Sequence, residues 1–223
     1  MVASKFIAPR LAGFSERLAL RVRTDIYRRV VMPLSPNSNT RVIDLGVTSD
    51  CSQDSNFFEK LYPYPGNITA VGLEDASFLE QEFPGLVYIQ ADVCELPFPD
   101  HSFDIAFCSA VIEHVGSREM QQRLVSEAAR VAKIVILTTP NRWFPVEFHT
   151  LTPLLHWLPA RFFRKFLALT GRSFFAHESN LNLLDGRAMG QIFKNLKLAF
   201  VCSHQRLWGL TSNLVYIFGD INY

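Results

Sequence analysis

The sequence predicts an α/β fold built on a doubly wound parallel sheet, and three observations carry that prediction. First, the β-branched run 41–45 meets an acid and a glycine, Asp44 and Gly46, and then a small polar loop. That is how a first parallel strand ends and a ligand loop begins. Second, apolar runs of strand length alternate with stretches of helical spacing from residue 41 to residue 137. Third, polar groups recur just where the runs stop: Asp44, Glu74, Asp92, the segment from Ser109 to His114, and Asn141. Ligands of such sheets sit outside the carboxyl ends of the strands. Five polar strand ends aimed at one crevice are hard to explain by packing alone.

The elements follow in order. Residues 15–32 read as a helix, with Ser15 as its N-cap and Pro33 as its stop. Leu18, Val22, Ile26 and Val30 give it one apolar face, and Arg17, Arg21, Arg23, Arg28 and Arg29 a basic one. The basic face reads as solvated, although such a helix also suits an anionic lipid or an acidic substrate. Residues 36–40 are a polar linker. Strands are expected at 41–45, 68–73, 86–90, 103–108 and 133–137. Helices are expected at 55–61, 78–83 and 118–131. Pro63, Pro65 and Pro84-Gly85 punctuate the first two of these. After Asn141 the character changes: 142–184 is read as an inserted cap, rich in Trp and Phe, whose 151–176 stretch carries Arg161, Arg164, Lys165 and Arg172 and no acid. Its apolar stripe (Leu154, Leu155, Leu158, Phe162, Phe166, Leu169) is expected to pack against the sheet. A lid or a membrane-facing patch is the functional alternative. A last helix at 185–195 is capped by Asp185, and strands at 196–203 and 213–219 close the chain. The organisation is thus a helix and linker at 1–39 and a main domain at 40–223 with the cap inside it.

Composition bounds the function. The 223 residues are 48% hydrophobic and 19% charged, enough for a packed core. A net charge of +1 supplies no field that draws nucleic acid, and no nucleic-acid partner is expected. Cys51, Cys94, Cys108 and Cys202 are scattered, without metal or disulfide spacing, which fits a reduced, cytoplasmic compartment and no metal site. Pro9 and Arg10 interrupt the apolar stretch near the start, so no signal-peptide core is expected. No run is long enough to span a bilayer.

The order Val42-Ile43-Asp44-Leu45-Gly46, then Gly72-Leu73-Glu74 and Gln90-Ala91-Asp92, resembles the class I S-adenosylmethionine-dependent methyltransferases, as does Glu113-His114-Val115 after the fourth strand. The likeness covers roughly residues 40–141. Thr48 and Asp50 stand where that family carries its second and third glycines. The resemblance implies a Rossmann-like sheet of seven strands with an antiparallel last strand, S-adenosylmethionine as cofactor, and methyl transfer as the activity. It also implies cofactor roles for Asp44, Gly46, Glu74 (the ribose acid), Asp92 (the adenine amine) and Val93 (a backbone amide to the ring). Thr48, Asp50 and Ser109 join that set as neighbouring polar groups on the same strand ends.

Methyl transfer is an in-line displacement that asks for alignment, exclusion of water and, for a hydroxyl acceptor, a proton acceptor. Histidine titrates near neutrality. His114 and His149 lie on the segments leaving strands four and five and are the catalytic candidates, with Glu147 placed to orient His149 or to bind a cationic acceptor. The expected acceptor is a small molecule, apolar or anionic, methylated at oxygen, with peripheral membrane contact through the basic helix or the cap as a further reading. Two rivals are weighed. One is a non-catalytic scaffold or regulator of the same fold with an eroded loop. The other is a nicotinamide-dependent reductase, disfavoured because no Gly-x-Gly-x-x-Gly follows the first strand.

Overall fold

The structure, a computed structural model, describes residues 14–52 and 54–220, with side chains from residue 16 onward. Helix α1 already includes Ser15, which is therefore not its N-cap, and the interruption at Pro9 and Arg10 lies outside the described residues. Helix α1 (Phe14–Val30) leads through a 3-10 turn at Met32–Leu34 into β1 (Val42–Leu45). Then come α2 (Phe57–Leu61), β2 (Ile68–Gly72), α3 (Phe78–Glu82), β3 (Val87–Gln90), β4 (Phe103–Ser109), α4 (Arg118–Val131) and β5 (Ala132–Pro140). The chain finishes with α5 (Ala160–Leu169), α6 (Ser173–Ala176), α7 (Gly186–Leu196), β6 (Phe200–Leu207) and β7 (Leu210–Gly219).

The seven strands form one sheet in the order β3-β2-β1-β4-β5-β7-β6. The first five pair in parallel, β7 lies antiparallel to β5, and β6 antiparallel to β7. The chain reverses between β6 and β7 at Trp208-Gly209. Both residues have positive φ, 52° and 81°, the tight two-residue turn that matches strand twist. The order switches direction at β1, so the loops after β1 and β4 leave the sheet on opposite sides and open a crevice between them.

Alternation along each strand divides the core in two. Ile43, Leu45, Ala106 and Val135 face α4 and α7, where Leu124, Val125, Ala128, Met189 and Phe193 meet them. Val42, Phe107, Ile136 and Val215 face α1, α2 and α3, against Ile26, Phe57, Phe58 and Leu79. Phe58 stacks on Phe107 with ring centroids 4.6 Å apart, and truncating either ring to Ala costs about 3–5 kcal/mol. Two helix starts are fixed by the side chains their sequences supply: Ser117 accepts from the Met120 amide, and Asp185 from the Ala188 amide.

Two expectations need correction. The cap's apolar stripe does not pack on the sheet: Leu154, Leu158, Phe162 and Leu169 are exposed. Phe163, Leu167, Phe175 and Leu181 form a small core of their own instead. Helical spacing alone could not choose between adjacent faces of a segment rich in apolar residues all round. The basic side of α1 is also not uniformly solvated. Arg17, Arg21, Arg28 and Arg29 are exposed, but Arg23 turns inward. The four cysteines are free, and among the described residues no helix is long and apolar enough to cross a membrane.

Candidate active site

A cavity of about 460 Å³ opens over the carboxyl ends of β1, β2, β4 and β5, a volume suited to a cofactor-sized ligand. Its walls are largely apolar. Helix α1 supplies Leu18, Val22 and Ile26, the segment after β5 supplies Phe144 and Phe148, and the β6–β7 turn supplies Trp208. Asp44, Gly46, Thr48, Glu74, Val93, Ser109, His114 and His149 line it; Asp50, Asp92 and Asn141 do not.

The loop after β1 is held by side chains. Gly46 has φ +99°, and its amide donates to the Val71 carbonyl at 2.7 Å. A Cβ added there would come within 2.2 Å of Val111 Cγ2, so neighbouring packing as well as backbone conformation demands glycine. Thr48 and Asp50 stand in a loop whose backbone is gripped by Asn56: its Oδ1 accepts the Thr48 amide, and its Nδ2 donates to the Thr48 and Asp50 carbonyls. Ser52 and Ser55 donate to the Asp50 carboxylate, which is thereby turned into the loop. Arg23 of α1 pairs with Asp54 at 3.1 Å and also donates to its carbonyl, closing the loop from above. Sequence reading missed Asn56 and Arg23. A polar residue in a small-residue loop and one arginine among five carry no periodic signal.

The acids after the strands differ in what they do. Asp44 is buried on the face shared with α2, where buried Glu59 sits close by. Burial first, and the like charge of Glu59 next, push the Asp44 carboxyl well up, and burial raises Glu59 too. Glu74 is half-buried at the cavity edge, with its Oε2 accepting from Ser49 Oγ at 2.8 Å. Asp92 is exposed, and its Oδ1 accepts the Cys94 amide at 2.8 Å, closing a turn that presents Val93 to the cavity. Ser109 Oγ lies 2.9 Å from Thr138 Oγ1 across β4 and β5. Asn141 is spent on the fold, with its side chain and amide bonded to the Thr211 and Ser212 carbonyls.

At the other end of the cavity the two candidate histidines meet. His149 Nε2 and His114 Nε2 are 2.9 Å apart with the rings edge to face. His149 Nδ1 donates to Glu147 Oε1 at 2.7 Å, and His114 Nδ1 donates to the Asn180 carbonyl at 2.7 Å. Glu147 also accepts from the amides of His149 and Thr150 and from the Thr150 hydroxyl. Burial would raise its pKa, but the His149 charge and these bonds hold it at about 2. Burial opposes protonation of His149, yet Glu147 and then Glu113 raise its pKa. Burial and the neighbouring His149 charge lower His114 to about 3. Beneath the pair lies Glu113, wholly buried, with Oε2 accepting from Thr139 Oγ1 at 3.0 Å and Oε1 3.8 Å from His149 Nε2. The acid adjoining His114 was legible as part of a strand-end motif, but its place beside His149 depends on the fold.

Known proteins agree with this geometry. Residues 51–134 match the methyltransferase domain family model. Over 67 residues the chain is 37% identical to a protein named a probable S-adenosylmethionine-dependent methyltransferase in two strains of Mycobacterium tuberculosis. The match takes in 29% of this chain and 23% of the relative, so the chain spans about a quarter of that protein's length. Among solved structures, magnesium protoporphyrin IX methyltransferase from Synechocystis PCC 6803, with SAH bound, superposes with a TM-score of 0.57 at 13% identity, covering 96% of this chain and 91% of that one. An S-adenosylmethionine-dependent methyltransferase from Mesorhizobium loti gives 0.57 at 14% identity, covering 94% and 99%. Sheet order and these likenesses agree on the fold: the chain has the seven-stranded architecture of solved S-adenosylmethionine-dependent methyltransferases, and its residues 51–134 resemble the methyltransferase domain family.

Proposed function

We propose that the chain transfers the sulfonium methyl group of S-adenosylmethionine to an oxygen of a small, mainly apolar acceptor. The observation that carries this reading is one continuous cavity with two chemically distinct ends. The end at Gly46, Thr48, Glu74, Val93 and Ser109 offers backbone and a carboxylate to an ammonium, a carboxylate and a ribose diol. The far end offers two imidazoles among Phe144, Phe148, Val146 and Leu151.

In the transfer, the acceptor oxygen forms a bond to the methyl carbon as the sulfur–carbon bond breaks and the sulfonium becomes a neutral thioether. The apolar wall excludes water that would compete as acceptor, and the two ends hold the reactants in line. The His114–His149 pair draws the proton from the acceptor hydroxyl. Glu147 fixes the orientation of the His149 ring through its 2.7 Å bond. The exposed apolar residues of the cap, Leu154, Trp157, Leu158 and Phe162, flank Arg161 and Arg164, and support entry of the acceptor from a lid or from the surface of a lipid phase.

The test is transfer of labelled methyl from S-adenosylmethionine to a panel of apolar compounds with and without one hydroxyl. Label in the hydroxylated members alone supports the reading. Label in none, from a protein that binds adenosylhomocysteine, favours the scaffold role.

A further inference from the structure

Three ligand-type atoms, from Glu113, His114 and His149, lie within 4.8 Å of one another at the acceptor end of the cavity. We propose that these side chains bind one divalent transition-metal ion there, of the class that imidazole and carboxylate share, such as Zn²⁺ or Mn²⁺. The inference rests on reading this end as the acceptor site; with an ion bound, the two imidazoles act on the hydroxyl as ligands of the ion and no longer as the proton acceptor.

The hydrogen bonds on the outer faces of the rings carry the argument. Both Nδ1 atoms face acceptors, the Glu147 carboxylate and the Asn180 carbonyl, each at 2.7 Å, so both Nδ1 atoms bear hydrogen. Both Nε2 lone pairs therefore point at one another across 2.9 Å. A single proton between them would satisfy the two rings. It would still leave Glu113 Oε1, fully buried, with no hydrogen-bond partner, and a buried orphan acceptor of this kind marks a missing proton donor or ion. One cation satisfies all three atoms together.

Distances and surroundings agree. With metal–ligand bonds of about 2.0–2.2 Å, two donors stand about 2.9 Å apart at right angles and about 3.4 Å apart in a tetrahedron. The 2.9 Å between the imidazoles equals the right-angle value, while the 3.8 Å from His149 Nε2 to Glu113 Oε1 is wider than a tetrahedral pair, so binding draws Glu113 inward. A carboxylate and a backbone carbonyl on the far nitrogens are the outer partners that orient metal-binding histidines. His114 and His149 line the cavity while Glu113 is buried, and a site of three protein ligands reached from a cavity matches catalytic rather than structural sites. Two nitrogens and one oxygen, with no thiolate, point away from Ca²⁺ and Mg²⁺, which favour oxygen, and from Cu⁺, which favours sulfur. An ion there would take the acceptor oxygen and lower its proton affinity, so that the hydroxyl proton leaves to solvent as the acceptor enters, before the site closes to water.

The test uses the full chain without a histidine tag, stripped with chelator and titrated by calorimetry with Zn²⁺ and Mn²⁺ separately, alongside Co²⁺ monitored by visible absorption. The expected result is one equivalent bound, with an affinity about 100-fold weaker in His149→Ala and in the near-isosteric Glu113→Gln, and about 10–100-fold weaker in Glu147→Gln. Thermal stabilisation by adenosylhomocysteine, retained in each variant, certifies that it is folded. Wild-type protein that binds adenosylhomocysteine but no metal overturns the proposal, as does binding that the variants leave unchanged. Metal bound with no response to adenosylhomocysteine keeps the metal site and defeats the cofactor reading instead.

Discussion

The Asn56 side chain holds the Thr48 backbone from both directions, accepting its amide at 3.0 Å and donating to its carbonyl at 2.9 Å. Asn56 itself has φ 47°, a left-handed conformation that asparagine tolerates better than most residues. The loop that lacks its second and third glycines is thus shaped by one amide side chain. Asn56→Ala removes these bonds and places Ala in the strained region. The expected cost is about 2–4 kcal/mol in urea unfolding, with adenosylhomocysteine affinity down by about tenfold or more. Asn56→Gly keeps the backbone conformation, so it should lose affinity with a smaller loss of stability.

Gly46 and Val111 form a second interlock. Gly46→Ala brings a Cβ to 2.2 Å from Val111 Cγ2 at φ +99°. It should destabilise by about 2–4 kcal/mol through overpacking and strain together. Adding Val111→Ala relieves the clash but not the backbone, so the double variant should recover about half the loss in a double-mutant cycle.

Glu147 neutralises four donors inside the segment after β5. Glu147→Ala orphans the two His149 donors and the Thr150 amide in a buried site and leaves the Thr150 hydroxyl only Thr152, which costs about 3–5 kcal/mol. A denaturation midpoint within error of wild type would contradict the role given to this carboxylate.

The pH dependence of stability is legible at Glu127. Its bond to Arg130 first, opposed by some burial and aided by the Leu96 amide, lowers its pKa. A carboxyl lowered on folding stabilises above its unfolded pKa of about 4.3 and loses that contribution as pH falls through the folded value. The stability gap between wild type and Glu127→Gln should therefore be constant near neutrality and shrink below about pH 4. Urea midpoints of both proteins across pH 3–7 check this; a gap that widens in acid would contradict it.

The sheet was readable because parallel strands buried on both faces declare themselves as short apolar runs, and 118–131 matches helix α4 residue for residue. The antiparallel hairpin came from family likeness, and its turn at Trp208-Gly209 had no recognised signal. The cavity lining was partly legible, since Gly46, Glu74 and Val93 stand at strand ends where a pattern can find them. Asp92 and Asn141 share that placement, yet their side chains close turns and tie strands, which position alone could not tell. Arg23, Asn56 and Glu59 were out of reach as site residues, and Glu113 was legible only through its motif with His114, not through its place beside His149. Each gains its role from a partner tens of residues away, or from the direction of a side chain in a loop.

The most direct measurement is thermal unfolding with S-adenosylmethionine, adenosylhomocysteine and NADH, each in large excess. At a hundred times its dissociation constant a ligand stabilises by about 2.7 kcal/mol, which for a chain of this size raises Tm by roughly 5–10 °C. A rise with both sulfur ligands, absent with NADH and lost in Glu74→Ala, is the predicted result. No rise with either sulfur ligand would contradict the cofactor reading of the cavity and leave the scaffold role in its place.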